Sequence, residues 1–284
     1  MKESIISEKR DQIKKEWNKV AAGWHKWIPF ISTLLKDATD LMLDMANIEN
    51  GDRVLDIAAG DGDQSFSAIE RVGNSGYVLA TDISTNLMEY AAQEAKNKGY
   101  SNLETKVMDA GNLELPDNSF DAVICRLGLM LIPGYEKVLD EAYRVLKPSS
   151  RISVVVFSTP DKSPWISVPA MTAMQRVNAS PPPKGAPGLF SLGAPGMITE
   201  LLHSAGFEDI QVEYLNSSFK LSSAQECTDF LKDIAGAIHA ILAPLSDEEQ
   251  EQTWKDIRQA LLKFESEEGF STSNEVIIAA GMKK

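Results

Sequence analysis

The sequence predicts an α/β fold, a doubly wound and largely parallel sheet of the nucleotide-binding kind. Three observations predict it. The run VLDIAAGDG, residues 54–62, leads apolar residues into an acid and then into a turn of small residues. A second apolar run, LATDIS, ends in Asp82, about twenty residues beyond Gly62. Strand-like and helix-like segments then alternate as far as residue 157. A strand, a tight turn into a helix and a second strand ending in a ribose-binding carboxylate make the first half of such a fold. The alternation implies parallel strands joined by right-handed crossovers.

The first fifty residues precede this core and read as an N-terminal helical cap. They start polar and helical and turn aromatic at Trp17, Trp24 and Trp27. They continue in LLKDATDLMLDMANI, where Leu34, Leu35, Ala38, Leu41, Met42 and Met45 recur at helical spacing. Gly51 and Asp52 turn the chain into the main domain, residues 51–284. Strands are expected at 53–57, 77–81, 103–107, 122–125 and 152–157. Helices are expected at 64–72, 86–98 and 136–146, the last ended by Lys147-Pro148.

Residues 158–196 hold eight of the 13 prolines, including prolines 181–183. A loop this long inside a compact domain is usually functional, so the stretch reads as a proline-rich lid over a pocket. A short helix, MITELLHSAGF, follows, with Gly206 at its C-cap. The strand EDIQVEYL comes next. Residues 223–265 form a helical insertion in which Ser246 and Glu249 have capping-box spacing. NEVIIAAG closes the chain as an apolar strand.

Charge narrows the function. The net charge is −13, which repels phosphate backbones and argues against nucleic acid as a partner. Cys125 and Cys227 offer neither a disulfide framework nor a metal-ligand cluster, so no metal is expected. No secretory signal opens the sequence and no apolar run is long enough to span a bilayer, which makes the cytoplasm the expected address. The glycine turn is itself acidic, with Asp56, Asp61 and Asp63. That suits a cation better than a diphosphate, and S-adenosylmethionine carries a sulfonium and an ammonium. Charge thus favours the sulfonium cofactor over NAD.

With its motifs in this order and spacing, the chain resembles the class I S-adenosylmethionine-dependent methyltransferases from about Val20 to its end. The motifs are VLDIAAGDG, ATDIS, VMDAGNLELPDNSFD, AVICRLGLMLIP and LDEAYRVLKPSSRISVVVF. Ala58 stands where many members have glycine. Within that class the pattern is similar to the small-molecule branch that includes ubiquinone/menaquinone C-methyltransferases. The resemblance implies a Rossmann-like sheet of seven strands whose last strand enters antiparallel. It also implies methyl transfer to a small molecule, apolar or quinone/phenol-like, with S-adenosylhomocysteine as product. Two alternatives stand beside it: an NAD-dependent oxidoreductase on a similar fold, and a catalytically silent cofactor-binding protein.

Candidate cofactor residues follow from the strand ends. Asp82 can accept from both ribose hydroxyls. Asp56, with Ala58, Ala59, Gly60 and Gly62, is expected at the methionine end. Asp109 and the Ala110 N–H suit the adenine edge, and Ile83 and Met88 its faces. Cys125 and Arg126 end the fourth strand beside the methyl-transfer site, Arg126 with a structural ion pair as the more common outcome. The string VAAGW resembles a segment that folds over the cofactor in related enzymes, and Trp24 is the matching aromatic, able to meet the sulfonium through its ring face. Trp27, Met130, Trp165 and Phe190 are candidate acceptor contacts. An activated methyl needs little acid–base help, so no triad is expected. His25 is the one candidate base, useful if the acceptor is a phenol, an enol or an amine.

Overall fold

Strand β1 (Arg53–Ile57) pairs in parallel with β2 (Tyr77–Asp82) on one side and β4 (Phe120–Arg126) on the other in the computed structural model. The structure describes residues 2–180 and 186–284, with side chains from residue 11 onward. Prolines 181–183 lie outside the described residues. The sheet continues through β3 (Leu103–Val107), β5 (Leu146–Phe157), β6 (Glu208–Leu221) and β8 (Gly269–Met282), in the order β3-β2-β1-β4-β5-β8-β6. A two-residue strand, β7 (Glu265–Ser266), pairs with β8. Strands β1 to β5 are parallel, and β8 runs antiparallel between β5 and β6. The central stretches of these strands, residues 54–57 of β1, 122–126 of β4 and 152–157 of β5, are buried on both faces, as expected of the middle of a parallel sheet covered by helices.

Helices α2 (Asp63–Val72), α3 (Thr85–Lys98) and α4 (Tyr135–Val145) supply the crossovers. α4 ends at Val145, before Lys147-Pro148, because residue 146 already pairs in the sheet. The β6–β8 pair is longer than expected. Its register runs on to Leu221↔Phe270, six pairs beyond the last β5 partner, Phe157↔Val276. This two-stranded extension carries Phe219 and Phe270 into an aromatic cluster with Trp165 and Phe230.

Two expectations change. The cap is one helix, α1 (Lys2–Met45), with Pro29 inside it. A proline in a helix interior costs about 3 kcal/mol. Packing outweighs that cost here, because α1 lies across α2, α3, α7, β5 and β8. The proline-rich stretch is a loop only in part. It holds α5 (Pro164–Arg176), which begins with Pro164 at its first turn, where a missing N–H costs nothing. Trp165, Ile166, Pro169 and Ala173 of α5 are buried. The remaining helices are α6 (Met197–Ser204), α7 (Ala224–Ile234), α8 (Gly236–Leu242) and α9 (Asp247–Leu261). The Ser246–Glu249 capping box opens α9.

Candidate functional site

A cavity of about 120 Å³ lies at the carboxyl ends of β1, β2 and β4. This is where the strand order reverses, the usual ligand crevice of an open α/β sheet. Ala58, Ala59, Gly60 and Asp61 line it from the turn after β1; Asp82 and Ile83 from the end of β2; Asp109 and Ala110 from beyond β3; Arg126 from β4; and Trp24 from α1. Each was expected there from the sequence except Asp61, a member of the same motif. Thr81, Gln64, Leu87, Met108 and Leu127 also line it and had no motif signal of their own.

The Asp82 carboxylate is fixed by its own backbone surroundings. Its Oδ2 accepts from the Gly60 N–H at 3.0 Å and its Oδ1 from the Ser84 N–H at 2.8 Å. Burial pushes its pKa up to about 6, although these N–H groups and that of Ile83 favour the ionised form. Each oxygen keeps a lone pair for a further donor. Asp61 is likewise pushed up to about 6 by burial, with His25 opposing the shift. The His25 Nδ1 stands 3.4 Å from the Asp61 carboxylate, and the imidazole stacks on Tyr90 at 4.2 Å. His25 itself is not among the described residues that line the cavity. Asp109 Oδ1 accepts from the Gly111 N–H at 2.9 Å.

Arg126 is held on both sides. It donates to Thr39 Oγ1 of α1 at 2.7 Å and pairs with Asp63 of α2 at 2.7 Å. Ser32 of α1 also donates to Asp63. The guanidinium therefore ties α1 and α2 to the end of β4.

Four expected cofactor residues stand behind the wall. Asp56 is fully buried and its oxygens accept from Gln64 Nε2 and Ser65 Oγ, so it props the turn from within. Burial pushes its pKa up to about 7. Gln64 bridges Asp56 to the Ala59 carbonyl and takes its place at the cavity. Gly62, at φ +90°, caps α2. Met88 packs with Ala59, Ala80 and Ala91, while its neighbour Leu87 faces the cavity. Cys125 is buried, its thiol pushed up to about 12 by burial, and lines neither this cavity nor the next.

A second cavity of about 240 Å³ opens beside the first, between α1, α5, α7 and α8. Met130 and Trp165 line it, as expected of acceptor contacts, together with Phe157, Ile166, Phe230 and Ile238. Glu16 is its one charged lining residue among those described. Trp27 and Phe190 are not in this wall. The Trp27 N–H is spent on Asp233 at 2.7 Å, with its ring edge-on to Phe230. Phe190 leans on Phe157, and its neighbour Leu189 reaches the cavity. The two cavities share Trp17, Trp24, Ile31, Leu35, Leu127 and Leu131 among others.

The chain matches known proteins over this region. Residues 6–173 match the model of the ubiE/COQ5 methyltransferase family. The demethylmenaquinone methyltransferase of Listeria welshimeri is 32% identical over 165 residues, 56% of this chain and 68% of that protein. Among solved structures, the YcgJ protein of Bacillus subtilis has a TM-score of 0.59 at 20% identity, over 88% of this chain and 99% of that one. The Haemonchus contortus phosphoethanolamine N-methyltransferase 2 in complex with S-adenosyl-L-methionine has a TM-score of 0.54 at 20% identity, over 87% of this chain and 53% of that one. At such identities the structural likeness is one of fold.

Proposed function

Because the chain belongs to the ubiE/COQ5 methyltransferase family, and so is an S-adenosylmethionine-dependent methyltransferase, we propose that it methylates an apolar aromatic acceptor of the quinol or phenol type. The oxidoreductase and silent-binder alternatives lapse with that membership. The observation that carries the acceptor reading is the pair of joined cavities. One carries three carboxylates, Asp61, Asp82 and Asp109, and the other is walled almost wholly by apolar side chains.

The residues present fit the cofactor. Asp61, Asp82 and Asp109 face the first cavity, while the Arg126 charge is taken up by Asp63. A cation is favoured there. When bound, S-adenosylmethionine supplies a methyl group already activated on a positive sulfur. Asp82 accepts the ribose hydroxyls with its remaining lone pairs. Asp109 and the Ala110 N–H hold the adenine edge, with Ile83 against its face. The face of Trp24 turns toward the sulfonium, worth about 0.5–2 kcal/mol when desolvated. His25 holds Asp61 in place and does not serve the acceptor directly. Met130 and Trp165 seat the acceptor and exclude water, so that positioning supplies most of the rate. Helix α1 acts as the cap, Trp165, Ile166, Ala170 and Leu189 as the outer wall of the acceptor cavity, and α7 and α8 as its far side. A cytoplasmic address suits the two buried free cysteines.

The test is a product assay. Purified protein with methyl-labelled cofactor should methylate a 1,4-dihydroxynaphthalene and leave ethanolamine untouched. Methylation of the amine with none of the naphthalenediol would overturn the acceptor reading.

A further inference from the structure

Four buried side-chain polar atoms lack a hydrogen-bond partner among the described residues: Trp24 Nε1, Arg151 Nε, Ser153 Oγ and Ser163 Oγ. Of these residues, only Trp24 lines the two joined cavities. A buried donor left unpaired loses its hydration without compensation, and such groups in native proteins call for an explanation. A ligand that takes the hydrogen bond is one.

The surroundings narrow that ligand. Every other described residue shared by the two cavities is apolar, apart from the indole of Trp17. In the acceptor cavity, the N–H of Trp165 already donates to Asn274 Oδ1 at 3.0 Å. Glu16 is an acceptor when ionised and is itself met by Gln12 Nε2 at 2.8 Å. A molecule seated in this cavity therefore finds almost no side-chain donor for an oxygen. Trp24, at the junction with the cofactor cavity, offers one. Its neighbour Gly23 brings α1 so close to α7 that a Cβ there would stand 2.1 Å from the Asp233 carbonyl oxygen.

We infer that the Trp24 indole N–H donates a hydrogen bond to a ring oxygen of the acceptor, and so selects an oxygen-bearing aromatic over an equally apolar one without oxygen. This rests on the acceptor reading above. It gives Trp24 a second role, in which the ring face serves the cofactor and the ring edge serves the acceptor. The hydrogen bond orients the acceptor by its oxygen at the junction where the methyl group is delivered.

The test compares 1-naphthol with 1-methylnaphthalene, a near isostere without oxygen, each titrated into protein saturated with S-adenosylhomocysteine. Wild-type protein should bind 1-naphthol about tenfold more tightly. Trp24→Phe, which keeps an aromatic ring and removes the N–H, should erase that preference, bringing the ratio of the two affinities to within about twofold of one. Indole 15N–1H spectra, assigned with single Trp→Phe variants of the five tryptophans, give a second readout. The Trp24 resonance should move downfield with 1-naphthol and stay in place with 1-methylnaphthalene. A preference that survives in Trp24→Phe, or a Trp24 resonance indifferent to 1-naphthol, overturns the inference while the acceptor reading stands. If S-adenosylhomocysteine binds and neither naphthalene does, the acceptor reading itself fails and the inference falls with it.

Discussion

Ala58 holds a left-handed backbone, φ +55°, in the turn that opens the cofactor cavity. For an L-residue with a Cβ that conformation costs roughly 1–2 kcal/mol. The turn tolerates it because Gly128, after β4, leaves room for the methyl group: a Cβ on Gly128 would stand 2.4 Å from that of Ala58 and 3.2 Å from Cys125 Sγ. Gly128 itself has ordinary helical dihedrals, φ −92° and ψ −46°. Its need for glycine is therefore one of space and not of backbone strain. Gly128→Ala should lower stability by about 2 kcal/mol through overpacking. Ala58→Gly should be neutral or stabilising by up to about 1 kcal/mol, as relief of strain offsets added chain entropy. Combined, they should recover at least about 1 kcal/mol of the loss, measured by denaturant unfolding in a double-mutant cycle. Strict additivity would show that the two methyls do not compete. The alanine was visible in the sequence as a departure from glycine, but its partner was not, because the contact joins two strand ends. The same limit explains Met88. The segment was legible as a helix flank of the site, yet adjacent helical residues point about 100° apart, and only packing decides that Leu87 takes the cavity.

Helix α1 is the element whose length the sequence concealed. Pro29 and the aromatic run interrupt its pattern, and the compensation comes from α7, whose place beside it no local signal reports. Gly23 meets the end of α7 there, and Asp233 accepts from both Trp27 Nε1 and Lys26 Nζ at 2.7 Å. These bonds pin the cap to the insertion, so α1 can wall both cavities. The proline-rich stretch hid its helix for the opposite reason. Pro164 sits where helices accept proline, and composition alone does not reveal position. The sheet was more transparent, since β1, β2 and β4 are largely buried apolar runs, each with its own turn. The β6–β8 extension was opaque because its outer residues alternate and are stabilised by pairing with each other. Gly23→Ala forces a methyl group against the Asp233 carbonyl and should shift α1. We expect a loss of about 1–3 kcal/mol in stability and faster amide exchange across residues 13–28, with less slowing by S-adenosylhomocysteine than in the wild type. Unchanged exchange in the variant would mean that α1 is held by its other neighbours, α2, α3, β5 and β8, without α7.

At the scale of the whole molecule, a chain of net charge −13 buries three carboxyl groups around one cavity, and this has a consequence in pH. Asp56 is raised to about 7, and Asp61 and Asp82 each to about 6, chiefly by burial. An unfolded aspartate titrates near 4. Between about pH 4 and 7 the folded protein thus holds protons that the unfolded chain has lost. Stability from these groups must fall as pH rises across that window. A cation placed beside them reverses the balance, because it favours the ionised forms and expels the protons. Affinity for S-adenosylmethionine should therefore rise from pH 5.5 to 7.5, by up to about tenfold per unit for each proton released, and level off above the highest of these values. S-adenosylhomocysteine, without the sulfonium charge, should show a shallower dependence. Calorimetric titrations in buffers of different ionisation enthalpy measure both the affinity and the protons released. Asp82→Asn should bind more weakly throughout, release fewer protons, and lose part of the fall in melting temperature that the free protein shows between pH 5.5 and 7.5. Equal pH slopes for the two ligands would detach the buried carboxylates from recognition of the sulfonium and leave them a purely structural role in the turn.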